Sequence, residues 1–131
     1  MNSFVGIDHP AVAARDVDDL ADWYCDVFGY EKVFRNDQPV WILRAPDGTL
    51  LEVMPEDDTP RPERTTQTPG WSHVALRVSD FDQAVRTLDR KGVHWTSDTI
   101  EAIGGGRLRN LEDPDGNMLQ ILERDPDLLE D

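Results

Sequence analysis

The sequence predicts an α+β fold made of one β-α-β-β-β module written twice, and three observations predict it. The chain repeats itself, each copy contains one capped helical period, and each helix is followed by three short strand-like segments. A shift that lays His9 on His73 also lays Ala11 on Ala75, Asp16 on Asp80 and Asp18 on Asp82. A slightly longer shift lays Pro46, Asp47 and Gly48 on Pro114, Asp115 and Gly116, and Leu51 on Leu119. The second copy therefore carries a short insertion between its helix and its last strands.

The first copy opens with a strand over Gly6 to Ala14. A helix over Val17 to Phe28 follows, because Val17, Leu20, Ala21, Tyr24 and Phe28 recur at helical spacing. Asp16 is its N-cap and Gly29 its stop. Strands over Glu31 to Arg35, Val40 to Arg44 and Leu50 to Met54 come next, with Asp47-Gly48 as the turn between the last two. The second copy runs in the same order. Trp71 to Val78 is a strand, Phe81, Ala84, Val85 and Leu88 mark a helix ending at Gly92, and strands follow at His94 to Ser97, Gly106 to Leu111 and Asn117 to Leu122. Between the copies, four prolines in Pro55 to Gly70 rule out a helix or central strand. One domain over residues 1–131 is expected, with modules at 6–54 and 71–124 and a linker at 55–70. The acidic tail from Asp125 to Asp131 is expected to fray, with Leu128 and Leu129 free to dock on another subunit.

Composition narrows the function. With 131 residues, 38% of them hydrophobic, and four Trp, the chain can bury one core. Thirteen Lys and Arg against 27 Asp and Glu give a formal charge of −14, which repels polyanions and argues against nucleic acid or anionic membrane as partners. The lone Cys25 cannot form an internal disulfide, and it lies in the helical pattern as a packing residue. Met1 to Gly6 lacks the basic and apolar regions of a secretion signal, and no apolar run is long enough to span a bilayer. A cytoplasmic protein is expected.

Alternation along the strands then sorts side chains by face. Val74, Leu76 and Val78 should pack on a helix, which turns His73, Ala75 and Arg77 to the other side. Pro10, Val12 and Ala14 likewise oppose His9, Ala11 and Ala13. Leu51 and Val53 belong with the helix, leaving Leu50, Glu52 and Met54 opposite. Leu119 and Ile121 leave Met118, Gln120 and Leu122 opposite. His9, Glu52, His73 and Gln120 thus hold equivalent places in the two copies, on faces free of helices. A single strand histidine is usually structural, but this duplicated set of two imidazoles, a carboxylate and an amide has the donor types of a metal site. His94 has no counterpart and reads as an ordinary strand residue.

From Gly6 to Glu123 the chain resembles the vicinal-oxygen-chelate superfamily of glyoxalases, bleomycin-resistance proteins and extradiol dioxygenases. The resemblance rests on the duplicated module, the segment Ser72-His73-Val74-Ala75-Leu76 and the turn Asp113-Pro114-Asp115-Gly116 before the last strand. It implies two βαβββ modules forming a curled mixed sheet, a cup with helices outside. His9, Glu52, His73 and Gln120 would hold a divalent metal (Ni, Zn, Co, Mn or Fe), and adjacent oxygens of a small-molecule substrate would bind to it.

Glyoxalase I is the nearest type. It implies lyase or isomerase chemistry with Glu52 as the catalytic base, since an amide such as Gln120 accepts no proton. Glyoxalases commonly carry a glutamate where Gln120 stands, and the glutathione contacts expected after the first histidine and the first-module glutamate are replaced by Ala13 and Glu56. The usual hemithioacetal is therefore not the implied substrate. Arg77, Arg107 and Arg109 are candidates to bind a carboxylate or phosphate, or else balance an acidic surface. Gly104-Gly105-Gly106, with no following helix, reads as a turn. An Fe(II) dioxygenase using His9, His73 and Glu52, and a metal-free drug binder, remain as other classes. A homodimer is expected from the family's habits and from exposed edge strands.

Overall fold

The computed structural model describes residues 2–129, so Met1 and the last two residues of the expected tail lie outside it. The chain divides into two compact units, one ending at Arg61 and the other starting at Pro62, inside the expected linker.

In the first unit, β1 (Ala11–Ala14) leads through Asp16 into α1 (Val17–Phe28), and β2 (Glu31–Arg35), β3 (Trp41–Arg44) and β4 (Leu50–Pro55) follow. The Asp16 side chain accepts a hydrogen bond from the Asp19 backbone N–H, meeting one of the donors a helix start leaves open. Gly29 closes α1 in the left-handed region at φ 75°, with its N–H donated to the Cys25 carbonyl. The sheet order is β1-β4-β3-β2, with β1 parallel to β4 and the other pairs antiparallel. Val17, Leu20, Ala21, Tyr24 and Val27 of α1 are buried, as are Leu43, Leu51 and Val53 of the sheet. Burying one such aliphatic side chain contributes roughly 1.5–3 kcal/mol.

The second unit repeats the plan with β5 (Val74–Arg77), α2 (Phe81–Arg90), β6 (His94–Trp95), β7 (Ile100–Glu101), β8 (Gly106–Glu112) and β9 (Met118–Arg124), then a final turn of helix α3 (Pro126–Leu129). Asp80 caps α2 through the Gln83 N–H, as Asp16 caps α1. The sheet order is β5-β9-β8-β6, and β7 also pairs with β8. The turn before β9 is organised by Asp113, a buried carboxylate that accepts from the backbone N–H groups of Asp115 and Asn117 and from the Asn117 amide.

Several expectations need correction. β1 and β5 are shorter than expected, so His9 and His73 stand just before their strands. The second helix ends at Arg90, before Gly92. The insertion forms β7, unforeseen because two residues carry no period. It places Ala102 against Leu108 and Leu122, so Leu122, expected on the open face, is buried. Val74, expected under a helix, is 36% exposed, and α2 packs chiefly on β9. Leu128 and Leu129 lie in α3 and are exposed.

Candidate metal centre

Glu52 is fixed by the backbone on both sides. It stands beside Ala11 of β1 and Ile42 of β3, and its N–H donates to the Pro10 carbonyl at 3.0 Å. That bond carries the chain before β1 along β4 and brings His9 to the carboxylate, with His9 Nε2 3.0 Å from Glu52 Oε2. Both side chains are about one-third exposed or less, at 33% and 26%.

The other ring nitrogen of His9 is occupied, since Nδ1 lies 2.7 Å from the Asp8 carboxylate. If Nδ1 carries the hydrogen, a neutral ring turns its Nε2 lone pair onto the Glu52 oxygen, and the contact is repulsive unless a cation lies between them. In the protein alone a proton on Nε2 fills that place whenever His9 is charged. The Asp8 hydrogen bond and the charge of Glu52 accordingly hold the His9 pKa above its ordinary value, against some desolvation. A divalent metal meets the same need. Two neighbouring donors about 2.1 Å from an octahedral ion stand about 3 Å apart, the spacing of this pair. A carboxylate on the far nitrogen is the usual outer support of a metal-bound imidazole.

The second unit repeats the arrangement with different side chains. Gln120 stands beside Ala75 of β5 and Asn110 of β8, as Glu52 does beside Ala11 and Ile42. His73 Nδ1 is 2.8 Å from Ser72 Oγ, and Ser72 occupies the place in its repeat that Asp8 holds in the first. In both copies the preceding side chain takes Nδ1 and leaves Nε2 as the outward nitrogen. In the sequence Ser72 stands out only as part of the segment Ser72-His73-Val74-Ala75-Leu76, and Asp8 not at all. The signal was present, since the shift that aligns the histidines also aligns these two hydrogen-bonding residues. Among the described residues, no group of three or more His, Cys, Asp or Glu side chains is placed to hold a metal ion.

The arginines separate by face. Adjacent residues of β8 alternate, and Asn110 is the one beside Gln120, so Arg107 and Arg109 fall on the opposite face. Arg107 lies over the Phe81 ring and reaches Asp82 at 3.1 Å and Glu123 at 3.5 Å, and the Asp82 hydrogen bond raises its pKa. Arg109 lies over Trp95 and donates to the Ser97 carbonyl. Periodicity alone could not phase β8, because both of its faces mix polar and apolar residues. Arg77 does share the Gln120 face and is exposed. His94 faces Glu112 at 3.5 Å across β6 and β8. Cys25 is half-buried, and burial pushes its thiol pKa up, away from nucleophilic use.

The family model described as the Glyoxalase/Bleomycin resistance protein/Dioxygenase superfamily matches residues 6–121. The chain is 26% identical over 125 residues to Glyoxylase I 4 of Arabidopsis thaliana, a match spanning 91% of this chain and 71% of that protein. Its structure resembles lactoylglutathione lyase from Agrobacterium tumefaciens, with a TM-score of 0.70, 18% identity and coverage of 93% and 96% of the two chains. It also resembles the fosfomycin resistance protein FosX of Listeria monocytogenes, solved as a mutant with Mn(II) and dihydroxypropylphosphonic acid. There the TM-score is 0.71, with 16% identity and coverage of 95% and 93%.

Proposed function

The chain belongs to the Glyoxalase/Bleomycin resistance protein/Dioxygenase superfamily, and from that premise we propose that it is a metal-dependent lyase or isomerase of glyoxalase type. It acts on a small molecule with adjacent oxygens by enolate-type proton transfer. The observation that carries this reading is the His9 Nε2 to Glu52 Oε2 contact at 3.0 Å, with Nδ1 already taken by Asp8. A neutral imidazole and a carboxylate so arranged suit a shared cation. Manganese in the similar FosX structure supports a divalent metal.

His9 and Glu52 of the first unit and His73 and Gln120 of the second are the proposed ligands. When bound, the metal supplies positive charge against the developing oxyanion of the substrate. Glu52 removes the proton beside the substrate carbonyl and returns it to the neighbouring carbon. Gln120 offers only an amide oxygen, so the site has one base where two carboxylates would give two. Asp8 and Ser72 fix the rings of His9 and His73. Arg77 is retained as the substrate-binding cation, while Arg107 and Arg109, on the other face, are assigned to anchoring α2 and Trp95. We further propose a cytoplasmic homodimer.

Glu52→Gln tests the proposal. The variant should keep a bound metal, measured by elemental analysis after loading with Ni, Zn, Co, Mn or Fe(II). It should incorporate solvent deuterium into hydroxypyruvate, which has an α-hydroxycarbonyl carbon and a carboxylate, about 10²-fold more slowly than the wild type, the scale of general-base catalysis. Exchange at the wild-type rate would reduce Glu52 to a ligand and end the lyase or isomerase reading.

A further inference from the structure

The two repeats differ on the face that carries the proposed ligands, and each serves as a control for the other. In the first unit Glu52 has Ala11 on one side and Ile42, followed by exposed Phe34, on the other. In the second, Gln120 has Ala75 on one side and Asn110 on the other, and the next row along begins with Arg77 beside Leu122. The repeat places Ala13 where the second unit has Arg77, and Ile42 where it has Asn110. At these two places a cation and an amide stand on the second module only, while the cation of the first module's face, Arg44, lies at the far end of β3 near Glu31.

Strand geometry puts these groups within reach of one small molecule. Same-face neighbours are about 6.6 Å apart along a strand and about 4.8 Å across the sheet, which sets the Arg77 backbone about 8 Å from that of Gln120. Ala75, between them and His73, is small and exposed. The other charges of this face are engaged. Arg124 donates to the Ile103 and Gly105 carbonyls, and Glu112 faces His94. Arg77 has no ion-pair or hydrogen-bond partner among the described residues. Arg86 of α2 is also exposed without a partner among the described residues, and Arg77 differs from it in lying on the Gln120 face of the sheet.

We infer that Arg77, with Asn110 beside Gln120, binds an anionic oxygen group of the substrate, making the substrate class a small α-hydroxy or α-oxo acid, carboxylic or phosphonic. The inference rests on the proposed function only in taking the Gln120 face as the substrate face. Arg77 supplies a planar donor pair that matches either anion, and the Asn110 amide supplies a further donor. The same positive group disfavours cationic substrates and gives a neutral diol nothing to bind.

The test follows backbone amide NMR shifts of Ala75 to Arg77 and of Gln120 during titration of metal-free protein. Glycolate, hydroxymethylphosphonate and ethylene glycol are matched probes carrying a carboxylate, a phosphonate and no charge. One or both anions should give saturable shifts and ethylene glycol none, and the tighter anion identifies the acid. Arg77→Gln should weaken that binding about ten-fold or more, and Arg77→Lys less, as the loss of a charged hydrogen bond requires. Saturation by ethylene glycol equal to that by the anions, no saturation by either anion, or an Arg77→Gln variant that titrates like the wild type would overturn the inference. A change in sedimentation of Arg77→Gln with ligand affinity unchanged would do so too, and would make Arg77 a subunit contact. Metal uptake by the same protein is measured separately, by elemental analysis after loading with a divalent metal. Anion binding without stoichiometric metal sinks the proposed function and leaves this inference standing, and the reverse result does the opposite.

Discussion

His9 lies between two carboxylates, Asp8 at 2.7 Å and Glu52 at 3.0 Å, and its titration reports the state of the site. Its pKa is raised in the folded protein, chiefly by the Asp8 hydrogen bond. Protonated His9 therefore favours the metal-free fold fully below the ordinary histidine pKa of about 6.5, and that contribution is lost as pH rises through the raised value. Metal needs the neutral ring, so apparent metal affinity should fall as pH drops below the raised pKa. Asp8→Asn should move the His9 midpoint down toward its ordinary value, followed by imidazole NMR of the metal-free protein. An unmoved midpoint would show that Asp8 does not hold the ring. Strand alternation was enough to put Glu52 and Gln120 at equivalent places in the sequence. The repeat aligned Asp8 with Ser72, but the contact of the Asp8 carboxylate with Nδ1 was not legible, because it depends on the backbone just outside β1.

Among the elements, α1 was legible to the residue, because a cap, a helical period and a stop coincide at Asp16, Val17 to Phe28 and Gly29. β1 and β5 were overextended because the apolar pattern continues past the last paired residue. The insertion was legible only as a difference between two shifts, and its content, β7 and the Ala102, Leu108 and Leu122 cluster, came from packing. Gly106 shows how tightly it is joined. Its φ is 104°, and a Cβ there would stand 1.8 Å from the Glu123 carbonyl oxygen, a backbone atom with no room to yield. Gly106→Ala should cost about 2 kcal/mol or more in urea unfolding, from strain plus displacement of β9. A loss under about 0.5 kcal/mol would mean that the β8 start is loose.

At the scale of the whole molecule, the charge of −14 opposes the proposed homodimer, while apolar exposure favours it. Phe4, Val5, Ile7 and Trp71 are almost wholly exposed, and β1, β2 and β5 are end strands of their sheets. Such surface is a liability unless another surface covers it. Two copies bring like charges together, so association should strengthen as salt shortens the screening length to about 10 Å near 0.1 M. Sedimentation equilibrium at micromolar concentration should show the dimer fraction rising with salt. A monomer at every ionic strength would refute the dimer.

The sequence by itself determined the duplicated module, both helices with their aspartate caps, the family, and which residues stand at equivalent places in the two copies. These are matters of period, local capping and repetition, each written within a few residues of its cause. Tertiary structure decided the rest. It brought His9 to Glu52 through the parallel pairing of β1 with β4, whose partners lie far apart in the chain. It turned Arg107 and Arg109 away from Gln120, because the phase of a strand with mixed faces is set by its register with β9 and by nothing within its own seven residues, while Arg77 keeps the face that alternation along its strand assigned it.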